Sequence, residues 1–439
     1  MLATILFSHL LALPPAPTTG ASVVAITNTT VEVGDGRVLE GATVIVTGDR
    51  ITAVGQGLAV PKDAARVDGR GKVLAPGFIA ALSQVGLFEV GMEDALVDTT
   101  DKAVIAPAFR VADGYNPLSF HVAIDREEGV TTAILSPTGQ QLVAGQAAVV
   151  ELRTALEAAP DVSRPVAMVG AYDGIVAERF GGARGSLRLA LRSLIDDVRF
   201  FKNNRAAFDR AGTRPLSAER IHLDAMLPVV DGALPFIVRA DRAADIVALL
   251  DLAKAEGLQL VIASGAESWL VADRLKAQRV PVIVTPSLAG LKAFDALHAR
   301  DDLAAVLVKA GVDVIISAWD TDNGTTRVRQ EAGTAEQTGL PRAEAVKAIA
   351  QTPARIFGLR HGGAPIGVVS VGARANLVLW SGDPLEALSV TERIWIGGVE
   401  QTQQPSRQRL LAEKYLGAWR ADRAAAAAAA AAGTPKAAK

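Results

Sequence analysis

From Ser22 to Val73 apolar and polar residues alternate in short pieces, VVAIT (23–27), TVEV (30–33), TVIVT (43–47), RITAVG (50–55) and ARVDGRGKVLA (65–75). Gly-Asp-Gly at 34–36 and Gly-Asp-Arg at 48–50 punctuate them. A period of two broken by such dipeptides predicts antiparallel strands joined by tight turns, half of a small β-sandwich. The same pattern returns after Ile366-Gly367, in ANLVLWSG (375–382) and RIWIGGVEQ (393–401), which predicts that the far end supplies the other half.

Between these ends the pattern changes. TTAILS (131–136), PVAMVG (165–170), PFIVRA (235–240), LQLVIAS (258–264), VPVIVTP (280–286) and VDVIISA (312–318) are β-branched and nearly all apolar. Strands buried on both faces read this way. Residues 242–257, 266–279 and 341–358 carry apolar residues at helical spacing instead. Strand and helix alternating over such a length predict an α/β fold with a parallel sheet, closed as a (β/α)8 TIM-like barrel. The competing doubly wound sheet lacks its Gly-rich phosphate loop after the first barrel strand. The division predicted is a signal peptide at 1–20, sandwich at 21–74, barrel at 75–365, sandwich again at 366–401, and a C-terminal helix with an Ala-rich tail at 402–439.

Composition narrows the function. Of 439 residues half are hydrophobic, enough for a large core, and a net charge of −2 gives no basic field for nucleic acid. The chain has no cysteine, which removes disulfides, thiolate nucleophiles and Cys-based metal sites together. Its five histidines, His9 in the leader among them, are too few for a histidine-rich centre. MLATILFSHLLAL followed by PPAPTTGAS is an apolar run too short to span a bilayer, ahead of small residues a signal peptidase would cut. A periplasmic or secreted location follows. The lack of Lys or Arg before that run leaves a retained leader and a cytoplasmic protein as the alternative. No later segment reads as a membrane span, and Ala424–Ala432 suits a frayed tail.

LAPGFIAALSQVG (74–86) is the most informative stretch. A strand there enters a Pro-Gly turn and runs on apolar. Together with residues 23–55, NPLSF (116–120), EEGVTTAILSPTG (127–139), LVAGQ (142–146), EAVKAIAQTPARIFGL (344–359) and VSVGARANLVLWSGDPLE (369–386), it resembles the amidohydrolase superfamily in its imidazolonepropionase-like and prolidase-like branch, in order and spacing over nearly the whole mature chain. The resemblance implies a hydrolase of carbon–nitrogen bonds other than peptide bonds. One or two divalent metals at the C-terminal mouth of the barrel would activate a water. The family's ligands are paired histidines on the first strand, single histidines at two middle strands and an aspartate after the last. Carried over, the pair falls on Leu82 and Gln84, the middle histidines on Arg239 and Ser264, and the aspartate on Asp320, with Asp322 as the fallback.

A leucine, an amide, a guanidinium and a hydroxyl do not replace imidazoles, because borderline metals prefer nitrogen and sulfur donors and a cation repels a cation. No cofactor is therefore expected, zinc or another divalent metal being the alternative if the family chemistry is retained. Arg239 is expected to stand in for the metal charge and to pair with Asp320, the one candidate catalytic residue left. Glu89, Glu93, Asp94, Asp98 and Asp101 follow the first strand on the side where a barrel places its chemistry, and read as a solvated loop. His121, His222 and His298 have no partner at ligand spacing and read as packing or surface residues. Trp319 would narrow the mouth or simply pack. No G-x-S-x-G turn exists, and the Gly-rich 181–186 run reads as a connection. The chain thus reads as a catalytically impaired or regulatory homologue, partnered by an active homologue or by itself, with a small molecule in the mouth. An active hydrolase of cyclic amides or dipeptides and a small-molecule binding protein are the alternatives.

Overall fold

The structure, a computed structural model, describes residues 22–90, 93–153, 164–288, 295–318 and 324–402, with 410, 414 and 415 beyond. The leader, Trp319, Asp320, Asp322 and the Ala-rich tail lie outside the described residues.

The N-terminal strands are β1 (Val23–Glu32), β2 (Val38–Thr47), β3 (Arg50–Gly55), β4 (Ala65–Asp68) and β5 (Val73–Pro76). β1, β2 and β3 form the antiparallel meander that the alternation predicts, turning at Gly34–Gly36 and Gly48. β4 and β5 depart from it. After β3 the chain crosses to the other edge of β1, and both strands pair parallel to it, Val24 opposite Ala65 and Val31 opposite Leu74. That crossover replaces the simple run of hairpins expected from 22–73. The far end then adds two longer strands on the β5 side, and with the short β18 (Val399–Glu400) they complete one eight-stranded hydrogen-bonded sheet built from both ends of the chain. Ile26, Val44, Leu74, Leu377 and Trp395 are among the residues of its core.

The second eight-stranded sheet is the barrel: β6 (Phe78–Ser83), β7 (Val130–Leu135), β8 (Gly145–Glu151), β9 (Ala167–Ala171), β10 (Phe236–Ala240), β11 (Leu260–Ser264), β12 (Val282–Val284) and β13 (Val314–Ile316), paired in sequence order. Its two edges meet where Ser317 Oγ donates to the Ala81 carbonyl. Ile79, Ile134, Val169, Ile237, Val261, Ile283 and Ile315 form one cluster across these strands, the packed interior that a barrel requires. The wholly parallel sheet expected is interrupted once, because β8 runs antiparallel to both β7 and β9. Residues 136–144, containing Pro137 and Gly139, are too few for a helical crossover, and so the chain reverses instead.

The outer helices are α1 (Phe120–Glu127), α2 (Gly174–Glu178), α3 (Arg184–Asp209), α4 (Arg220–Val230), α5 (Ala243–Glu256), α6 (Ala272–Gln278), α7 (Leu303–Ala310), α8 (Val328–Gln337), α9 (Arg342–Ile349) and α10 (Gln351–Ile356). The helical spacing at 341–358 resolves into two helices, broken at Ala350, whose φ of −129° is not helical. Within 181–186, Gly181 and Gly182 take left-handed φ and connect α2 to α3, whose first turn holds Gly185. β14 (Arg360–His361) and β15 (Ala364–Pro365) form a small hairpin before the sheet strands β16 (Leu377–Trp380) and β17 (Thr391–Ile396). Trp380 joins the two sheets: fully buried, it stacks on Phe78 at 5.8 Å between ring centroids, and Arg329 lies 5.3 Å over its ring.

Candidate functional site at the C-terminal mouth of the barrel

The C-terminal ends of the barrel strands converge on one polar group. Arg239 stands last but one in β10. Its Nε donates to Asp173 Oδ2 at 3.1 Å, and its Nη2 donates to the same oxygen. Asp173 follows β9 by two residues, and its other oxygen accepts from the Val176 amide at 2.9 Å to cap α2. The carboxylate is thereby fixed on both sides. The pair is largely shielded, the side chains being 18% and 14% exposed.

Asp241, two residues past Arg239, completes the cluster. Its Oδ1 accepts from the Ala266 amide at 3.1 Å, and Ser264 stands close by at the end of β11. Burial raises the Asp241 carboxyl above its ordinary range, against the opposing pull of the Ser264 and Ala266 hydrogen bonds and of Arg239. Ser264 holds a left-handed backbone, φ 69°, which a serine adopts at a cost. Behind this layer Glu267, buried, accepts from the Ala243 and His298 amides, and Arg184 clamps Asp245 at 2.6 Å and Asp295 at 2.7 Å.

On the first strand the picture is apolar. Leu82 is buried in the barrel-interior cluster with a φ of 55°, and the β6–β7 register shifts between Ala80 and Ser83. β6 ends at Ser83, so Gln84 lies beyond it and the strict two-residue alternation does not carry through this bend. Ser83 Oγ meets Thr325 Oγ1 at 2.7 Å. Thr285, after β12, holds a buried hydroxyl with no hydrogen-bond partner. Among the described residues no group of three or more His, Cys, Asp or Glu side chains is placed to hold a metal ion. The expected Arg239–Asp320 pair involves a residue outside the described ones; among the described residues Arg239 pairs with Asp173.

The acidic loop is put to structural use. Glu89 accepts from Asn116 Nδ2 at 2.8 Å and Ser119 Oγ at 3.0 Å, and Asp101 accepts from the Ala103 amide. His121 lies between Phe88 and Phe120, with ring centroids at 4.8 and 4.0 Å. His222, on α4, accepts from the Ala108 amide at 3.2 Å, and the His298 carbonyl accepts from Trp269 Nε1. None of the three is brought to Arg239. Beside the mouth a cavity of about 610 Å³ lies between residues 100–104, 138–141 and Arg179.

Sequence reasoning missed Asp173 and Asp241. Both stand just past the end of a barrel strand, in AMVGAYD and FIVRAD, and an acid at that register is the signal that could have found them.

A barrel joined to a sheet built from both chain ends, with polar residues gathered at the strand C-termini, is an architecture this chain shares with solved proteins. Its fold is that of solved amidohydrolases. It is similar to an amidohydrolase from Thermotoga maritima, with 27% identity over 87% of this chain and 100% of that one and a TM-score of 0.77. The fold is shared also with a prolidase solved with N-methylphosphonate-L-proline, at 18% identity, 87% and 100% coverage and a TM-score of 0.54. A molinate hydrolase gives 15% identity, 87% and 94% coverage and 0.52. No family model and no curated protein matches the sequence.

Proposed function

We propose that this chain is an amidohydrolase-fold protein whose mouth is organised by an arginine–aspartate pair in place of a divalent metal, and that it acts as a catalytically impaired, regulatory homologue. The observation that carries this reading is Arg239 bound to Asp173 in the mouth, at a position onto which the resemblance carries a histidine. The other residues carried over do not fit a metal either. Leu82 has no donor atom, Gln84 offers an amide, and Ser264 offers only a hydroxyl. A guanidinium at the centre would have to leave before a divalent ion entered. No step of chemistry is routed through a metal here.

The partner in this reading is an active homologue of the same fold or a second copy of the chain, and a small molecule occupies the mouth. Co-purification from the native host tests the subunit role, and a lone chain that assembles with nothing overturns it. Elemental analysis of protein made in metal-supplemented medium, paired with assays on N-acyl amino acids, cyclic amides and Xaa-Pro dipeptides, tests the loss of hydrolysis. Near-stoichiometric metal with turnover overturns it.

One observation favours a second reading, an active hydrolase without metal. Asp241 is a carboxyl raised by burial at the C-terminal mouth, and a raised carboxyl is what a general acid requires. Turnover abolished by Asp241→Asn and untouched by chelators supports it.

A further inference from the structure

We propose that a second site, at the opposite end of the barrel, binds a small organic polyanion, a polycarboxylate or a phosphorylated metabolite. A cavity of about 900 Å³ opens there, bounded by the end of the antiparallel β8, the entries to β9 and β10, and the β14–β15 hairpin. Pockets for small molecules span roughly 300–1,000 Å³, so it is large enough for one. It is separate from the mouth, since none of Asp173, Arg239, Asp241 and Ser264 lines it.

Its charge is one-sided. Arg153, Arg164 and Arg360 line it against one lining carboxylate among the described residues, Glu151. That carboxylate is already committed. Arg374, itself buried, donates to both its oxygens at 2.7 and 2.9 Å, and Asn376 adds a third bond at 3.1 Å. Arg153 meets Glu151 at 2.9 Å through one terminal nitrogen, while its Nε is buried with no hydrogen-bond partner. Arg360 spends one nitrogen on the Gly363 carbonyl at 3.0 Å and so pins the hairpin beside the cavity. The walls are apolar at Val166, Phe357 and Ile366. Guanidiniums with unspent donors over an apolar wall recognise a carbon skeleton carrying two or more carboxylates or phosphates, since the planar fork matches both groups.

The full-length protein at low ionic strength is titrated by calorimetry with tricarballylate, with fructose 1,6-bisphosphate, and with sorbitol as the neutral control. Saturable binding of at least one anion and none of sorbitol is expected. The Arg164→Ala/Arg360→Ala double variant, checked for an unchanged circular dichroism spectrum, is expected to bind at least about tenfold more weakly, the scale of losing charged hydrogen bonds. Arg239→Gln, at the mouth and likewise checked for an unchanged circular dichroism spectrum at the titration temperature, is expected to bind as the parent does. Response to the tricarboxylate alone identifies a polycarboxylate site, response to the bisphosphate alone a phosphate site, and response to both a site that reads charge. Absence of saturable binding by either anion, insensitivity to the double variant, or loss of binding in Arg239→Gln overturns the proposal.

Discussion

Arg239 places two donors on a single oxygen of Asp173, while the other oxygen of that carboxylate caps α2, so one ion pair ties the end of β10 to the helix that follows β9. Truncating one member leaves its partner's charge poorly compensated in a mostly shielded place. Arg239→Met and Asp173→Leu are each expected to lower unfolding stability by about 2–4 kcal/mol, with the double variant losing less than the sum of the two. Urea denaturation of the four proteins measures the coupling, and strict additivity would contradict it.

Gly129 carries the junction between barrel and sheet. It sits at φ 83°, and a Cβ there would lie 2.3 Å from the Trp380 ring. Trp380 is held by Phe78 below and by Arg329, whose own guanidinium bonds Glu128 at 2.7 Å, so the ring cannot swing away. Gly129→Ala combines an unfavourable backbone with overpacking and is expected to cost about 3 kcal/mol. A denaturation midpoint equal to the parent's would show that the junction yields.

The sequence shows some of this plainly and some of it not at all. Buried strands such as VDVIISA and PFIVRA are legible because burial on both faces demands unbroken apolar runs. The union of the two chain ends is legible because alternation returns at 375–401. β8 is not, since GQAAVVE reads equally as the flank of a turn, and its antiparallel course follows from the shortness of 136–144. The family pattern points to Leu82, Gln84, Arg239 and Ser264 as expectations, and it does not point to the carboxylate that Arg239 meets. Asp173 lies 66 residues away in the chain and meets it only through the β9–β10 pairing.

Restoring donors should restore metal only if the mouth keeps its geometry. The parent chain is expected to retain far less than one ion per chain after dialysis. The variant Leu82→His/Gln84→His/Arg239→His/Ser264→His removes the guanidinium and supplies imidazoles, and is expected to gain zinc by elemental analysis. Leu82 is the demanding position, because its left-handed backbone and buried setting disfavour a polar ring. Zinc retained stoichiometrically by the parent would refute the replacement of metal by arginine.

At the other end of the barrel, Glu151 makes stability depend on acid. Burial pushes its carboxyl up, but the Arg374 bonds and the neighbouring Arg153 outweigh it, and the net shift is downward from 4.5. A depressed carboxyl contributes stability that is present above its unfolded pKa and lost as pH falls through the folded one. The contribution is therefore intact at pH 7 and declines below about pH 4.5. Glu151→Gln is expected to lower the melting temperature at pH 7 and to narrow its gap from the parent toward pH 3. A gap independent of pH would mean that the loss is one of packing.

Asp241 gives the opposite sign. Its folded pKa is raised, with burial as the largest cause, so the folded state prefers the protonated acid. Stability from such a group is complete below the unfolded value of 3.8 and is lost as pH rises through the folded pKa. Asp241→Asn keeps an acceptor for the Ala266 amide and removes the titration. The variant is expected to match the parent near pH 4 and to exceed it in melting temperature at pH 8. Ser264→Ala should move the parent's transition to higher pH, because it withdraws a hydrogen bond that favours the charged form. A Ser264→Ala profile superimposable on the parent's would separate this hydroxyl from the carboxyl it faces. It would leave the left-handed turn at Ser264 as a backbone feature with no electrostatic role.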